Sequence, residues 1–144
     1  MKANKLWFEN DRIYIRTESG RILWQSLLYY RRLREATDEQ RAHFEMDDEG
    51  IHWPELDEDV SLESFEYENP EPHGVSRLFL SHPELNPTAI AHRLNIEKGV
   101  MRQYVNGTLT PSPEIEQRIY AEFSLLTSEL LNDIPARGAK VVAG

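Results

Sequence analysis

His52 stands a few residues ahead of Asp57-Glu58-Asp59, with His43 upstream, and such side chains could hold a metal ion or exchange protons. Adjacent carboxylates in a loop can hold a hard cation through oxygen, and an imidazole beside them could serve as an acid or base. The segment lacks the alternating ligand spacing and central glycine of a calcium loop. Such a run also has plainer uses. It can be a solvated face, a partner for the helix dipole near Ser61, or a platform for Arg31, Arg32, Arg34 and Arg41. The plainer uses fit better, so no metal, cofactor or catalytic residue is assigned. The chain has no cysteine, which excludes a disulfide framework and a thiolate zinc site. It also lacks a nucleophile elbow, a phosphate-binding glycine loop and a Cys-His pair, and His43, His52, His73, His82 and His92 share no evident site. An enzyme is not expected.

The elements that would position these residues change character midway. Leu6, Phe8 and then Ile13, Ile15 alternate with polar partners around Asn10-Asp11, which predicts a β-hairpin. Ser19-Gly20 predicts a second turn and a third strand from Ile22 to Trp24. Leu27 to Ala36 has helical spacing, and Thr37 with Gln40 fits a capping box ahead of another short helix. Phe44-Glu45-Met46 and Ile51-His52-Trp53 flank Asp47-Asp48-Glu49-Gly50, which predicts a hairpin with Gly50 in the left-handed position. Ser61 is expected to cap a short helix carrying Leu62 and Phe65. Trp24 and Trp53 are expected in the core.

Glu68-Asn69-Pro70-Glu71-Pro72-His73-Gly74 suits neither helix nor strand and predicts a linker over 68–74. Beyond it lies no strand-like alternation. Val75 to Leu80 predicts a short helix. Asn86-Pro87 starts another, in which Ile90, Ala91 and Leu94 form an apolar stripe. A third carries Val100, Met101 and Tyr104 and stops at Asn106-Gly107. Pro113 opens a run of Ile115, Ile119, Phe123, Leu126, Leu130 and Ile134, either one long helix or two joined near Ser124. The fold class expected is α+β: a small N-terminal α+β domain over 1–67, with a short antiparallel sheet plus helices, then an all-α domain over 75–144.

The 144 residues carry a formal net charge of −9, which at first argues against nucleic acid. Its distribution reverses that. Residues 1–73 hold 9 Lys/Arg and 18 Asp/Glu, whereas residues 74–144 hold 7 of each. The second half is therefore free to present a local basic face, although a neutral domain has weak non-specific affinity and needs dimerisation or a well-fitted site. No apolar run approaches the ~20 residues of a membrane span, and Leu6-Trp7-Phe8-Glu9 is no signal core. A soluble cytoplasmic protein is expected, without membrane contact.

The stretch from Asn86-Pro87-Thr88 through Ala91, Asn95, Lys98-Gly99, Arg102-Gln103 and Asn106-Gly107 to Pro111-Ser112 resembles the lambda-repressor-like (Xre-type) helix-turn-helix family. Each position has a physical reason. Ala91 leaves room where two helices cross, Asn95 tolerates positive φ in the turn, and Ile90, Leu94, Ile96, Met101 and Tyr104 fill the space between the helices. The sequence departs from the family at Pro87, at Glu97, where a Ser or Thr cap is usual, and at Val105. The resemblance implies a recognition helix from about Lys98 to Asn106 that enters the major groove of double-stranded DNA. Lys98, Gly99, Arg102 and Gln103 would face base edges. Lys98 and Arg102 would donate to guanine and Gln103 would pair with adenine, while Gly99 would allow close approach or read nothing. Thr88, His92, Arg93, Asn106 and Thr108 would contact phosphates.

In the first half, Trp53-Pro54-Glu55-Leu56-Asp57-Glu58-Asp59, with Ser19-Gly20-Arg21 and Thr37-Asp38-Glu39-Gln40-Arg41, resembles a small bacterial family of unknown function over about residues 5–67. That family implies a compact α+β domain and supplies no catalytic residues. Two functions are expected in competition. One is a DNA-binding transcriptional regulator, expected to be a homodimer. The other is a protein-interaction or antitoxin-like module whose acidic N-terminal domain binds a basic partner.

Overall fold

The computed structural model describes residues 1–136, and the expected second domain extends beyond them at 137–144. The chain divides into two compact units, Met1–His82 and Pro83–Gly144. The class is α+β, with sheets in the first unit and helices alone among the described residues of the second.

In the first unit, Asn10 and Asp11 both take left-handed backbone, φ 52° and 58°, as a two-residue type I′ hairpin requires. They join β1 (Ala3–Glu9) to β2 (Arg12–Thr17), with Glu9 opposite Arg12. Gly20, at φ 90°, turns the chain into β3 (Ile22–Ser26), giving an antiparallel sheet of order β1-β2-β3. The alternation puts Leu6, Phe8, Ile13, Ile15 and Leu23 on the core side. Ser26 Oγ then accepts the Leu28 N–H at 3.1 Å and starts a 3-10 turn, followed by α1 (Arg31–Arg34). The capping box opens α2 (Asp38–Ala42): Gln40 N–H donates to Thr37 Oγ1 at 3.1 Å and Thr37 N–H to Gln40 Oε1 at 2.9 Å.

A second antiparallel sheet comprises β4 (Glu45–Met46), β5 (Gly50–Trp53) and β6 (Glu58–Ser61). Two expectations change here. Gly50 is not left-handed. The turn is held by Asp47, whose carboxylate accepts the N–H groups of Glu49 and Gly50 at 2.8 and 2.9 Å, and Gly50 itself lies buried in β5. The acidic segment is not all loop either, because Glu58 to Ser61 pair along β5 with Val60 turned inward.

Trp53 is 1% exposed, stacks edgewise near Phe8 and Phe44, and donates its indole N–H to the Arg41 carbonyl at 3.0 Å. Trp24, expected beside it, is half-buried outside this cluster. Ser61 Oγ accepts the Ser64 N–H at 3.1 Å, but it stands one residue before the cap position, which is Leu62, and the element that follows is a 3-10 turn, not the expected helix. Residues 68–74 are no loose linker. Pro72 is buried, Pro70 O accepts the Ser26 N–H at 2.7 Å, and Asn69 O accepts the Tyr29 hydroxyl at 2.9 Å. The helix α3 (Gly74–Ser81), expected with the C-terminal domain, belongs to this first unit, since the units divide after His82.

In the second unit, Asn86 Oδ1 accepts the Ala89 N–H at 3.1 Å and caps α4 (Pro87–Leu94). Asn95 is left-handed (φ 56°, ψ 42°), and the Ile96 N–H returns to the Ala91 carbonyl at 2.9 Å, so two helix-end carbonyls are satisfied in the manner of a Schellman motif. α5 (Lys98–Asn106) ends at Gly107, φ 80°. Ser112 caps α6 (Pro113–Asp133), one continuous helix through Ser124. Ile90, Ala91, Met101, Tyr104 and Ile119 are buried where α4 meets α5 and α6, while Leu94 and Ile96 are half-buried. The α6 stripe faces inward as far as Leu126; Leu130 and Ile134 are exposed. No helix among the described residues is long and apolar enough to cross a membrane.

Candidate nucleic-acid interface

Helical periodicity divides α5 into two faces. Met101 and Tyr104 point into the unit, 1% and 9% exposed, so the residues spaced between them must point out. Lys98, Gly99, Arg102 and Gln103 are all exposed. Lys98 and Arg102 lie four residues apart on one ridge, and neither has an ion-pair partner among the described residues. With Thr88 and Pro87 from the start of α4, and with Met101 and Val105, they line a shallow crevice of about 180 Å3. A side chain at Gly99 would meet only Glu97 Oε1, at 3.6 Å, so the fold itself does not demand glycine there. Glu97 precedes the helix without a side-chain capping bond.

The residues expected at phosphates are exposed too, but they do not form one group. Thr88 adjoins Lys98 and Arg102 in the crevice. Asn106 Oδ1 accepts both the Thr108 N–H and hydroxyl, at 3.0 and 2.7 Å, and so closes the end of α5. His92 lies on the outside of α4. Arg93 is engaged with α6: Nε is 2.6 Å from Glu122 Oε1, and Nη2 donates to Glu129 at 3.2 Å. The first contact is an ion pair outside hydrogen-bond geometry, to a carboxylate oxygen that is otherwise buried and unbonded. Arg118 ties α6 to the end of α4, donating to the Leu94 carbonyl at 2.6 Å. Nothing in the sequence spacing marks Arg118, Glu122 or Glu129, because each acts across a long separation in the chain.

The acidic group of the first unit is tied together by hydrogen bonds through His52. His52 Nδ1 is 2.7 Å from Asp59 Oδ1 and its Nε2 is 2.9 Å from Asp47 Oδ2. The two ring nitrogens diverge, so the carboxylates lie on opposite sides of the imidazole. Asp57, left-handed at φ 51°, turns instead to Arg32, which donates to its carbonyl at 2.6 Å. Arg31 pairs with Glu35, and Arg41 donates to the carbonyls of Leu33 and Arg34, so Arg32 is the one of these four arginines seen to reach the acidic segment. His43 approaches Glu55 at 3.9 Å. Among the described residues, no three His, Asp or Glu side chains are grouped to hold a metal ion. Hydrogen bonds to Asp59 and then Asp47 raise the His52 pKa above its ordinary 6.5. Backbone donation from Gly50 and Glu49, with the His52 contact, lowers Asp47 below its ordinary 3.8. Burial raises Glu58 above the usual carboxylate value.

Residues 3–71 match the family described as Protein of unknown function (DUF2442). This is the region whose Trp53-to-Asp59 segment carried the resemblance to a family without known function. No curated protein and no solved structure matches the chain. The DUF2442 region contains the whole His52 cluster and both sheets, and it ends before α3. The helix-turn-helix resemblance lies outside it and rests on sequence and local geometry alone.

Proposed function

We propose that the protein is a DNA-binding regulator in which α5 reads the major groove, with Lys98, Arg102 and Gln103 at base edges and Thr88 at the adjoining phosphate. The supporting observation is the pairing of unengaged Lys98 and Arg102 on the outer face of a helix whose inner face is anchored by Met101 and Tyr104. The left-handed Asn95 before it gives the tight turn that such a helix pair needs. Arg93 is removed from the expected phosphate contacts by its ion pairs with Glu122 and Glu129.

Electrostatics sets a condition. With Arg93 and Arg118 bound internally, one copy offers few cations to a duplex, and counterion release scales with the number of phosphates neutralised. A tight complex therefore requires two copies on two half-sites, in the cytoplasm where genomic DNA is accessible. The test is in vitro selection of duplex DNA on the intact protein, followed by anisotropy titrations of the selected site. Lys98→Ala and Arg102→Ala should each weaken binding about tenfold or more, since a good base contact is worth ~1–3 kcal/mol. Arg102→Ala should also relax one position of the site. Retention of the selected DNA by both folded variants at wild-type affinity would remove this function.

A second reading follows from the −9 balance of residues 1–73. In it the acidic unit masks a basic protein. Capture of one defined basic partner by the intact protein, reversed by salt, would support it; its absence would leave the DNA reading alone.

A further inference from the structure

The first sheet has a second face, pointing away from the core. Strand alternation assigns Lys5, Trp7 and Glu9 of β1, Arg12, Tyr14 and Arg16 of β2, and Ile22 and Trp24 of β3 to it. Register then arranges them in rows. Trp7 lies opposite Tyr14 and Tyr14 opposite Trp24, so three aromatic rings cross the sheet in line. Trp7 and Tyr14 stack at 5.4 Å with 7° between their planes. The next row sets Lys5 directly opposite Arg16.

That second row is anomalous. Like charges directly opposite one another destabilise a sheet, and residues 1–73 contain twice as many carboxylates as cations. Yet neither Lys5 nor Arg16 pairs with any of those carboxylates. Lys5 instead lies 5.2 Å from the Trp7 ring, and the Arg12 guanidinium sits 3.8 Å from the Trp24 ring while approaching Glu71 at 3.7 Å. The most acidic part of the chain thus presents an aromatic face with three cations, Lys5, Arg12 and Arg16, against one carboxylate, Glu9, which lies opposite Arg12 at the far end from the Lys5–Arg16 row. Opposed cations left without a counter-charge favour an anion between them. Rings in line favour planar groups, which would take the places now held by Lys5 over Trp7 and by Arg12 over Trp24.

We infer that this face binds single-stranded nucleic acid, with unpaired bases stacking along the row of Trp7, Tyr14 and Trp24 and phosphates lying between Lys5 and Arg16. Base–aromatic stacking is sequence-tolerant and needs bases released from a duplex, which a flat sheet face cannot reach inside one. Three strands span about 10 Å, room for roughly two or three bases. An acidic peptide would satisfy the cations and leave the rings unused. A second copy laid face to face would bring three more cations and only one carboxylate, Glu9, to a surface with the same imbalance. The inference is independent of α5, which belongs to the other unit and is proposed to read duplex.

The experiment is an anisotropy titration of labelled oligo(dT) and oligo(rU), each about ten nucleotides long, with the full-length protein at low salt. A duplex of the same length is the reference. Lys5→Gln/Arg16→Gln and Trp7→Leu should each weaken single-strand binding about tenfold, and Arg102→Ala should leave it unchanged. The double variant should also lower the slope of log affinity against log salt by about 1.4, as two lost phosphate contacts require. It should fold at least as well as the wild type, because it removes the opposed charges, and it decides the matter if Trp7→Leu fails to fold. The relative affinities for dT and rU show whether DNA or RNA is preferred. The inference is overturned if the wild type ignores both oligonucleotides, if folded face variants bind as the wild type does, or if Arg102→Ala causes the same loss. It is also overturned if sedimentation shows a self-association that the face variants abolish, since the face then belongs to a second copy.

Discussion

Gly50 and Val60 approach so closely across β5 and β6 that a side chain at position 50 would begin 2.6 Å from the Val60 carbonyl oxygen. The obstacle is backbone, which cannot swing away as a side chain end could. Gly50→Ala should therefore cost about 1–3 kcal/mol, as overpacking does. Gly20→Ala is the informative contrast. Nothing lies within 4 Å of that position, but its φ of 90° strains any side chain, at about 1–2 kcal/mol. Thermal unfolding of the two variants should rank Gly50→Ala as the more damaging, and the reverse order would contradict the pairing of β5 with β6.

The bridge from Asp47 through His52 to Asp59 gives stability a pH dependence whose sign can be worked out. The His52 pKa is raised in the folded state, chiefly by Asp59 and then Asp47, so its contribution is complete below about pH 6.5 and is lost as pH rises through the folded value. Asp47 is lowered, chiefly by the Gly50 and Glu49 amides, so its contribution is present above about pH 3.8 and disappears as acid takes pH below the folded value. The two contributions coexist between those limits. His52→Gln should flatten the fall in thermal midpoint from pH 6 toward pH 8, and an NMR titration should find the His52 ring still protonated above its ordinary range. An unchanged pH profile in His52→Gln would remove the bridge.

Asn95 holds its left-handed backbone with no glycine to relieve it. Replacement by Ala should cost about 1 kcal/mol, and replacement by Gly should be close to neutral, because Gly adopts the conformation freely. Denaturant midpoints of the two variants measure the difference. If Asn95→Ala matched the wild type, the turn between α4 and α5 would not be left-handed.

Arg93 shields a buried charge. Removing it leaves the Glu122 carboxylate, 12% exposed and with one oxygen buried without a hydrogen bond, bereft of its counter-charge. Breaking a fully buried pair costs about 3–5 kcal/mol, and the partly open side of Arg93 reduces that to about 1–2. Arg93→Ala should unfold at lower denaturant, and Glu122→Gln should restore much of the loss in the double variant. A variant as stable as the wild type but deficient on DNA would instead make Arg93 a phosphate contact.

What the sequence made legible was local chemistry. The Thr37–Gln40 capping box, the Asn10-Asp11 hairpin, the Asn86 cap and the Asn95 turn each involve residues within a few positions of one another, and each forms as its side chains dictate. What escaped was set by distant partners. Glu58-Asp59-Val60-Ser61 has a single inward apolar residue, so β6 exists through its pairing with β5, not through its own alternation. Gly50 departs from its expected role for the same reason, since its use depends on Val60 and not on its own turn. Of the candidate interface, the outward residues of α5 follow from helical period alone, whereas the diversion of Arg93 to Glu122 and Glu129 needs three dimensions.

Trp7, Trp24 and Trp53 all fall within Met1–His82, and Pro83–Gly144 has only tyrosines at 104 and 120 among its large ring chromophores apart from Phe123. Indole emission is therefore blind to one unit. Excited selectively, it follows melting of the sheets, with Trp53 as the sheltered, blue-emitting member. Circular dichroism, dominated by α4 to α6, follows the remainder. Two optical signals recorded on one unmodified sample thus reveal whether the halves melt as a single cooperative block or as separate ones.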